Sequence, residues 1–232
     1  LHIRKDEWAV NAHMMGSLCA MGVPMGLQYS ITAIGSVILQ TATNTLGSSA
    51  VAAVTAAGKV CNFLACPYDA MGSTMATYGG QNVGAGKLDR LDKGLASCVL
   101  LGAVYAVIAV LIAVFGGGLL AQLFVDGSEQ EIIHQVRQFL IWNTAFYFPL
   151  ALVNIVRFLI QGMGFASFAI LAGVLEMVAR SLAGFVLVPM IGYTGVCLGS
   201  PIAWIFADAF LIPAYFHVKK VLMRRRTEYY SA

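Results

Sequence analysis

The chain has 232 residues, of which 59% are hydrophobic and 11% charged, and its net charge is +3. An ordinary soluble domain carries about 25% charged residues, and its core does not absorb so much apolar surface, so lipid must be the solvent for much of this one. The composition therefore argues for an all-α membrane protein.

In chain order, LHIRKDEW opens the sequence without a signal peptide's apolar core and cleavage site. The chain begins on Leu1, and it is expected to be a fragment or one lobe of a longer protein, with residues 1–12 a cytosolic linker. Six spans are predicted at about 13–42, 49–78, 92–116, 132–160, 166–188 and 196–221, within a lobe of residues 13–222, followed by a basic cytosolic tail at 223–232. No charged residue occurs from Met14 to Gly58, from Gly94 to Val125 or from Ser181 to Ala207. Each stretch exceeds the roughly 20 residues a spanning helix needs.

The first span carries Gln28, Thr32, Ser36 and Gln40 at four-residue steps. That spacing predicts one slowly drifting polar stripe, facing protein or water rather than lipid. Lining of a substrate cavity and hydrogen bonding between helices both fit it. The second span is rich in alanine and holds two charges, Lys59 and Asp69, with Pro67 between them. A charge at membrane depth costs at least about 2.5–3.5 kcal/mol, which makes each a candidate functional group. Residues 79–90, GGQNVGAGKLDR, follow as a loop in which Gly79, Gly80, Gly84 and Gly86 permit a tight turn while Gln81 and Asn82 cap helix carbonyls. The loop is not a phosphate cradle, because it lacks GxxxxGK[ST] and no strand precedes it.

After the third span, LLAQLFV within the next connection is a candidate interfacial helix. The fourth span holds Asn154 as a candidate interior polar group, with Arg157 close enough to its end to snorkel. In the fifth, Glu176 and Arg180 are four apart and share a helix face. They are either a self-neutralising pair or a proton or cation acceptor tuned by its base. Asp208 stands alone in the sixth span, with Lys59 a candidate partner from another helix. Gly22/Gly26 and Gly195/Gly199 allow close helix approach, and Pro24, Pro67, Pro149, Pro201 and Pro213 are candidate kinks. The five cysteines, Cys19, Cys61, Cys66, Cys98 and Cys197, show no metal spacing and are expected as small buried residues. No cofactor, enzymatic constellation or nucleic-acid partner is expected.

With six spans, Arg4, Lys5, Lys87, Arg90, Lys93, Arg157, Lys219, Lys220, Arg224, Arg225 and Arg226 share one side and Arg137 alone takes the other. The bias predicts that both termini are cytosolic.

MATYGGQNVGAGKLDR at 75–90, together with GVPMGLQYSI at 22–31, LQTATNTLGSSAVAAVTAAGKV at 39–60, LIQGMGFAS at 159–167 and GVLEMVAR at 173–180, resembles the multidrug and toxic compound extrusion (MATE) transporters. The resemblance covers about residues 2–226 and implies the carboxy-terminal six-helix lobe of a two-lobe, twelve-helix transporter in the plasma (inner) membrane. It implies export of small organic compounds, often cationic, in antiport with H+ or Na+, and a partner amino-terminal six-helix lobe. Some family members carry an acid in the first helix of this lobe, whereas Met14 to Asn44 has none. A lipid-linked precursor flippase of the same broader fold and a non-transporting membrane scaffold are the alternatives.

Overall fold

The computed structural model describes residues 11–231, so most of the expected linker lies outside the described residues. Among them the secondary structure is helical throughout: α1 (Ala12–Asn44), α2 (Ser48–Gly84), α3 (Arg90–Gln122), α4 (Gln130–Ala145), α5 (Tyr147–Gly162), α6 (Ala166–Leu182), a π-helical turn (Ala183–Leu187), α7 (Val188–Ile191) and α8 (Tyr193–Ser231). Five stretches are long and apolar enough to cross a membrane, counting α6 through α7 as one, and α4 with α5 makes a sixth, bent by 51°.

The bend and the π turn each sit beside a proline. Pro149 has no N–H to return to the carbonyl of Ala145, where α4 stops, and Phe146 at the break leaves helical geometry (φ −106°, ψ 20°). Pro189 likewise withholds a donor just beyond the π turn. Pro24, Pro67, Pro201 and Pro213 lie inside helices that continue past them.

Two expected connections are shorter than the sequence suggested. LLAQLFV is not a separate interfacial helix, because α3 runs unbroken through Gly116–Gly118 to Gln122. Likewise α2 runs through Gly79 and Gly80 to Gly84, and these two glycines do not form the turn. They are contact points. A Cβ on Gly79 would meet Leu159, one on Gly80 would lie 3.2 Å from the Gly162 carbonyl oxygen, and one on Gly162 would lie 2.1 Å from that of Ala76. The end of α5 thus packs backbone to backbone on α2. The turn itself is made by Gly86 (φ 67°), with the Lys87 N–H donating to Asn82 O at 2.8 Å and the Gly86 N–H to Val83 O at 3.0 Å. This pattern is a Schellman motif. Asn82 also donates its side-chain amide to Tyr78 O within the helix, and Gly84 touches no neighbouring side chain.

α1 lies mainly against α6, with Gly35 against Met177 and Gly173 against Gln28 and Thr32. Met14, Leu18, Val23 and Val37 on α1 remain exposed. Cys19 and Cys66 are exposed too, contrary to the expectation of burial, because they stand on faces of α1 and α2 that are uncovered among the described residues.

The helices alternate between two ends. At one, the Tyr215 hydroxyl donates to Asp92 Oδ1 at 2.8 Å, Lys219 pairs with Asp92 Oδ2, and Tyr78 OH donates to Arg90 O. At the other, Tyr193 OH donates to Gln135 O and Gln138 to Thr194.

Candidate functional site

Five helices each turn one stripe of residues toward a cavity of about 380 Å³. α2 contributes Gly58, Cys61, Asn62, Ala65 and Asp69, a three- and four-residue spacing that is one helix face. α4 gives Phe139 and Asn143, and α8 gives Ser200 and Trp204. α5 supplies Tyr147, Leu150, Val153, Asn154 and Arg157, and α6 supplies Glu176 and Arg180. The bend between α4 and α5 lets a single span show Asn143 and Arg157 to the same space.

The buried wall is a charge network. Glu176, 3% exposed, accepts from Arg157 on Oε1 and from Arg180 on Oε2, the latter at 3.2 Å. The pair expected from the four-residue spacing is therefore present, with a third member. Arg157 does not snorkel: it is 6% exposed and bonded to Glu176. A residue at that register on α5 faces the bundle, and the helix end that suggested snorkelling is itself packed on α2. Asp208 lies behind the cavity wall, close enough to Arg157 and Glu176 to interact with their charges. Its Oδ1 is buried with no protein partner. Arg157 Nε, Arg180 Nε and Arg180 Nη1 are also buried without an acceptor.

The other walls are aromatic or neutral. Tyr68, Tyr147 and Trp204 form a chain of edge-to-face contacts with centroids 5.7 and 6.1 Å apart, and the Tyr147 hydroxyl donates to Cys61 O at 3.2 Å. Asn143 bridges Phe139 O and Cys197 O, and Asn154 gives its amide N–H to Leu150 O. Asp69 stands at the exposed rim.

Of the residues singled out from sequence, the structure gathers Asp69, Asn154, Glu176 and Arg180 around the cavity and sets Asp208 just behind it. Three lie elsewhere. Gln28 is buried and accepts from Gln161 at 2.6 Å, and Thr32 lies beside Gly173, so these two residues of the α1 stripe pack between helices and do not line this cavity. Ser36, at the drifting end of the stripe, is exposed. Lys59 is not the partner of Asp208. Its Nζ lies 5.4 Å over the Phe124 ring at the far end of α3, because Lys59 stands on the exposed side of α2. Gly80, Gln81, Asn82, Gly84 and Gly86 belong to the α2–α3 connection and not to the cavity. Arg157 is the residue that sequence reasoning missed. Its signal was present, since Arg157 is three residues after Asn154 on the same polar face.

The MatE family model matches residues 24–190. Over 127 residues the chain is 23% identical to the probable multidrug resistance protein YoeA of Bacillus subtilis (strain 168), covering 54% of this chain and 27% of that protein. The solved structure of MATE in complex with MaL6 superposes with a TM-score of 0.83 at 16% identity, covering 98% of this chain and 51% of the other. An inward-facing multidrug resistance MATE family transporter of the MOP superfamily gives 0.75 at 15% identity, covering 97% and 52%. A MOP superfamily transporter from Pyrococcus furiosus Vc1 (DSM3638), described as having a binding pocket of reverse polarity, gives 0.74 at 17%, covering 84% and 43%. The chain thus spans about half the length of the transporters whose fold it shares.

Proposed function

The chain belongs to the MatE family, and from that premise we propose that it forms one lobe of a secondary transporter that exports small amphipathic organic compounds in antiport with H+ or Na+. An amino-terminal six-helix lobe supplies the facing half of the pathway. The transporter lies in the plasma (inner) membrane with both termini of this segment cytosolic, and it does no chemistry on its substrate.

The observation that carries this reading is the cavity whose lining holds three buried charges, Arg157, Glu176 and Arg180, with the buried Asp208 near them. Ionisable groups inside a membrane bundle are costly and mark ion and substrate pathways. Both oxygens of Glu176 are engaged by guanidinium groups, so Glu176 is a poor acceptor for a further ion. Asp208 has a buried oxygen without a partner and is the acid we assign to the coupling ion. Asp69 on the rim offers its charge to the substrate.

The test is efflux from a host lacking its own pumps, expressing the complete transporter. Asp208→Asn is expected to express normally yet to abolish gradient-driven efflux. Collapse of efflux by a protonophore but not by a sodium ionophore assigns H+, and the converse assigns Na+. Efflux unchanged in Asp208→Asn would reject the coupling role, and efflux surviving both ionophores would reject antiport.

A further inference from the structure

α8 has 39 residues, which at 1.5 Å per residue is about 58 Å. The hydrocarbon core of a bilayer is about 30 Å thick, so a helix this long carries one end into the headgroup region. Two neighbours flank that end. On one side Lys219 and Tyr215 hold Asp92 at the start of α3. On another, His217 lies against the Phe168 ring of α6, centroids 6.3 Å apart, and Arg225 stands 5.9 Å over the Phe165 ring.

Between these flanks α8 keeps a sector uncovered among the described residues. Phe206, Ala209, Pro213, Phe216, Lys220 and Arg224 follow one another at steps of three or four, so they form one stripe, and all are exposed. Phe206 is 45% exposed and Phe216 62%. From Phe206 to Phe216 the helix rises about 15 Å, half the thickness of the core. The stripe is apolar for the depth of one leaflet and then turns cationic.

A bilayer alone accounts for the apolar part, but not for the rotation of the cations. Retention of basic residues on one side of a membrane needs them at that end, at no particular angle around the helix. Here Lys219 turns to Asp92, whereas Lys220, about 100° further round, and Arg224, one turn beyond it, continue the line of Phe216. An apolar strip one leaflet long beneath two cations is complementary to an acyl chain below an anionic headgroup.

We propose that this stripe of α8 is a docking site for one anionic phospholipid of the cytosolic leaflet. Its chain lies along Phe206 to Phe216 and its phosphate on Lys220 and Arg224. The choice of leaflet rests on the cytosolic placement of this end, and the site itself needs no transport. A zwitterionic phospholipid offers the same phosphate, but its ammonium group offsets the charge, so net charge decides between the two.

The test uses the complete transporter in detergent and two lipids with the same dioleoyl chains, phosphatidylglycerol and phosphatidylcholine. Native mass spectrometry reads the ratio of their one-lipid complexes at equal lipid concentration. One cation near the surface is worth about fivefold in binding to anionic lipid, so wild type is expected to favour phosphatidylglycerol by about tenfold or more. Lys220→Gln is expected to cut the ratio by about fivefold. Adding Arg224→Gln cuts it further, whereas Lys220→Arg keeps it. Lys87→Gln removes the same charge at the same end, on the α2–α3 connection, and leaves the ratio unchanged. Phe216→Ser weakens both lipids together. Reading a ratio keeps the test independent of how much protein folds.

A wild-type ratio near one overturns the proposal, and it is the result expected if the amino-terminal lobe covers this face. An equal fall in Lys87→Gln overturns it too, because a diffuse field would then attract the lipid. Displacement of phosphatidylglycerol by glycerol phosphate at comparable concentration also overturns it, since the cations would then hold a soluble anion and the apolar stripe would add nothing. No readout depends on efflux, so the site stands or falls apart from the transport reading.

Discussion

Glu176 carries most of the residue-scale argument, because it alone separates two buried guanidinium groups. Replacing it by Gln leaves Arg157 and Arg180 facing each other with only Asp208 nearby. Breaking a buried pair by removing one partner costs about 3–5 kcal/mol, and here one substitution breaks two. Arg180→Gln is milder, since Glu176 keeps Arg157. We therefore expect Glu176→Gln to lower the thermal unfolding midpoint in detergent well below that of Arg180→Gln. Equal midpoints would mean that Arg157 does not share the carboxylate. The sequence exposed half of this network. The Glu176–Arg180 spacing is local, so a helical wheel reveals it. The contact with Arg157 joins α5 to α6, and the approach of Asp208 joins α8 to both. No period within one helix encodes those distances, which is why Lys59 was as reasonable a partner for Asp208 as Arg157.

At the scale of elements, six apolar stretches were legible because composition alone marks them, and their centres coincide with the helices. Their ends were less legible, since a glycine signals a turn and a close contact equally well. Gly79, Gly80 and Gly162 belong to the contact, whereas Gly86 makes the turn. The break at Phe146 falls beside Pro149, one of the five candidate kinks, whereas the π turn beside Pro189 was missed; a proline can be absorbed by a helix, as at Pro67, or can bend it, as at Pro149, and the neighbours decide. The α2–α5 contact gives a sharp contrast. Gly162→Ala would drive a Cβ to 2.1 Å from the Ala76 carbonyl oxygen, with backbone on both sides, and overpacking of this kind costs about 1–3 kcal/mol or more. Gly84→Ala meets nothing within 4 Å at the end of α2 and removes the flexibility of a helical glycine, worth about 0.5–1 kcal/mol. Gly162→Ala is expected to unfold at a lower temperature than wild type and Gly84→Ala at the same or a higher one. Should Gly162→Ala match wild type, α5 does not pack backbone to backbone on α2.

Over the whole molecule, charge is distributed by end. Lys87, Arg90 and Lys93 lie at the α2–α3 end, and contacts of α8 with Asp92 and of Arg225 with the Phe165 ring bring Lys219, Lys220, Arg224 and Arg225 to it as well. Arg157, counted there from sequence, is instead in the buried network. The opposite end has Arg137 beside Asp126, Glu129 and Glu131. There the Ser128 N–H and hydroxyl both donate to Asp126 and hold its carboxyl below the usual carboxylate range, so this end stays acidic. Moving Arg157 off the count leaves the asymmetry steep, and basic residues near span ends are retained on the cytosolic side. We expect the α2–α3 connection to be cytosolic and residues 123–129 to face outward. In a cysteine-free background of the complete protein, Lys87→Cys should resist a membrane-impermeant maleimide applied to intact cells and react once the cells are opened. Gly127→Cys, at a position where a side chain meets nothing within 4 Å, should react in intact cells. The reverse pattern would invert the lobe, and it would put Asp92 with its Lys219 and Tyr215 partners on the outer face.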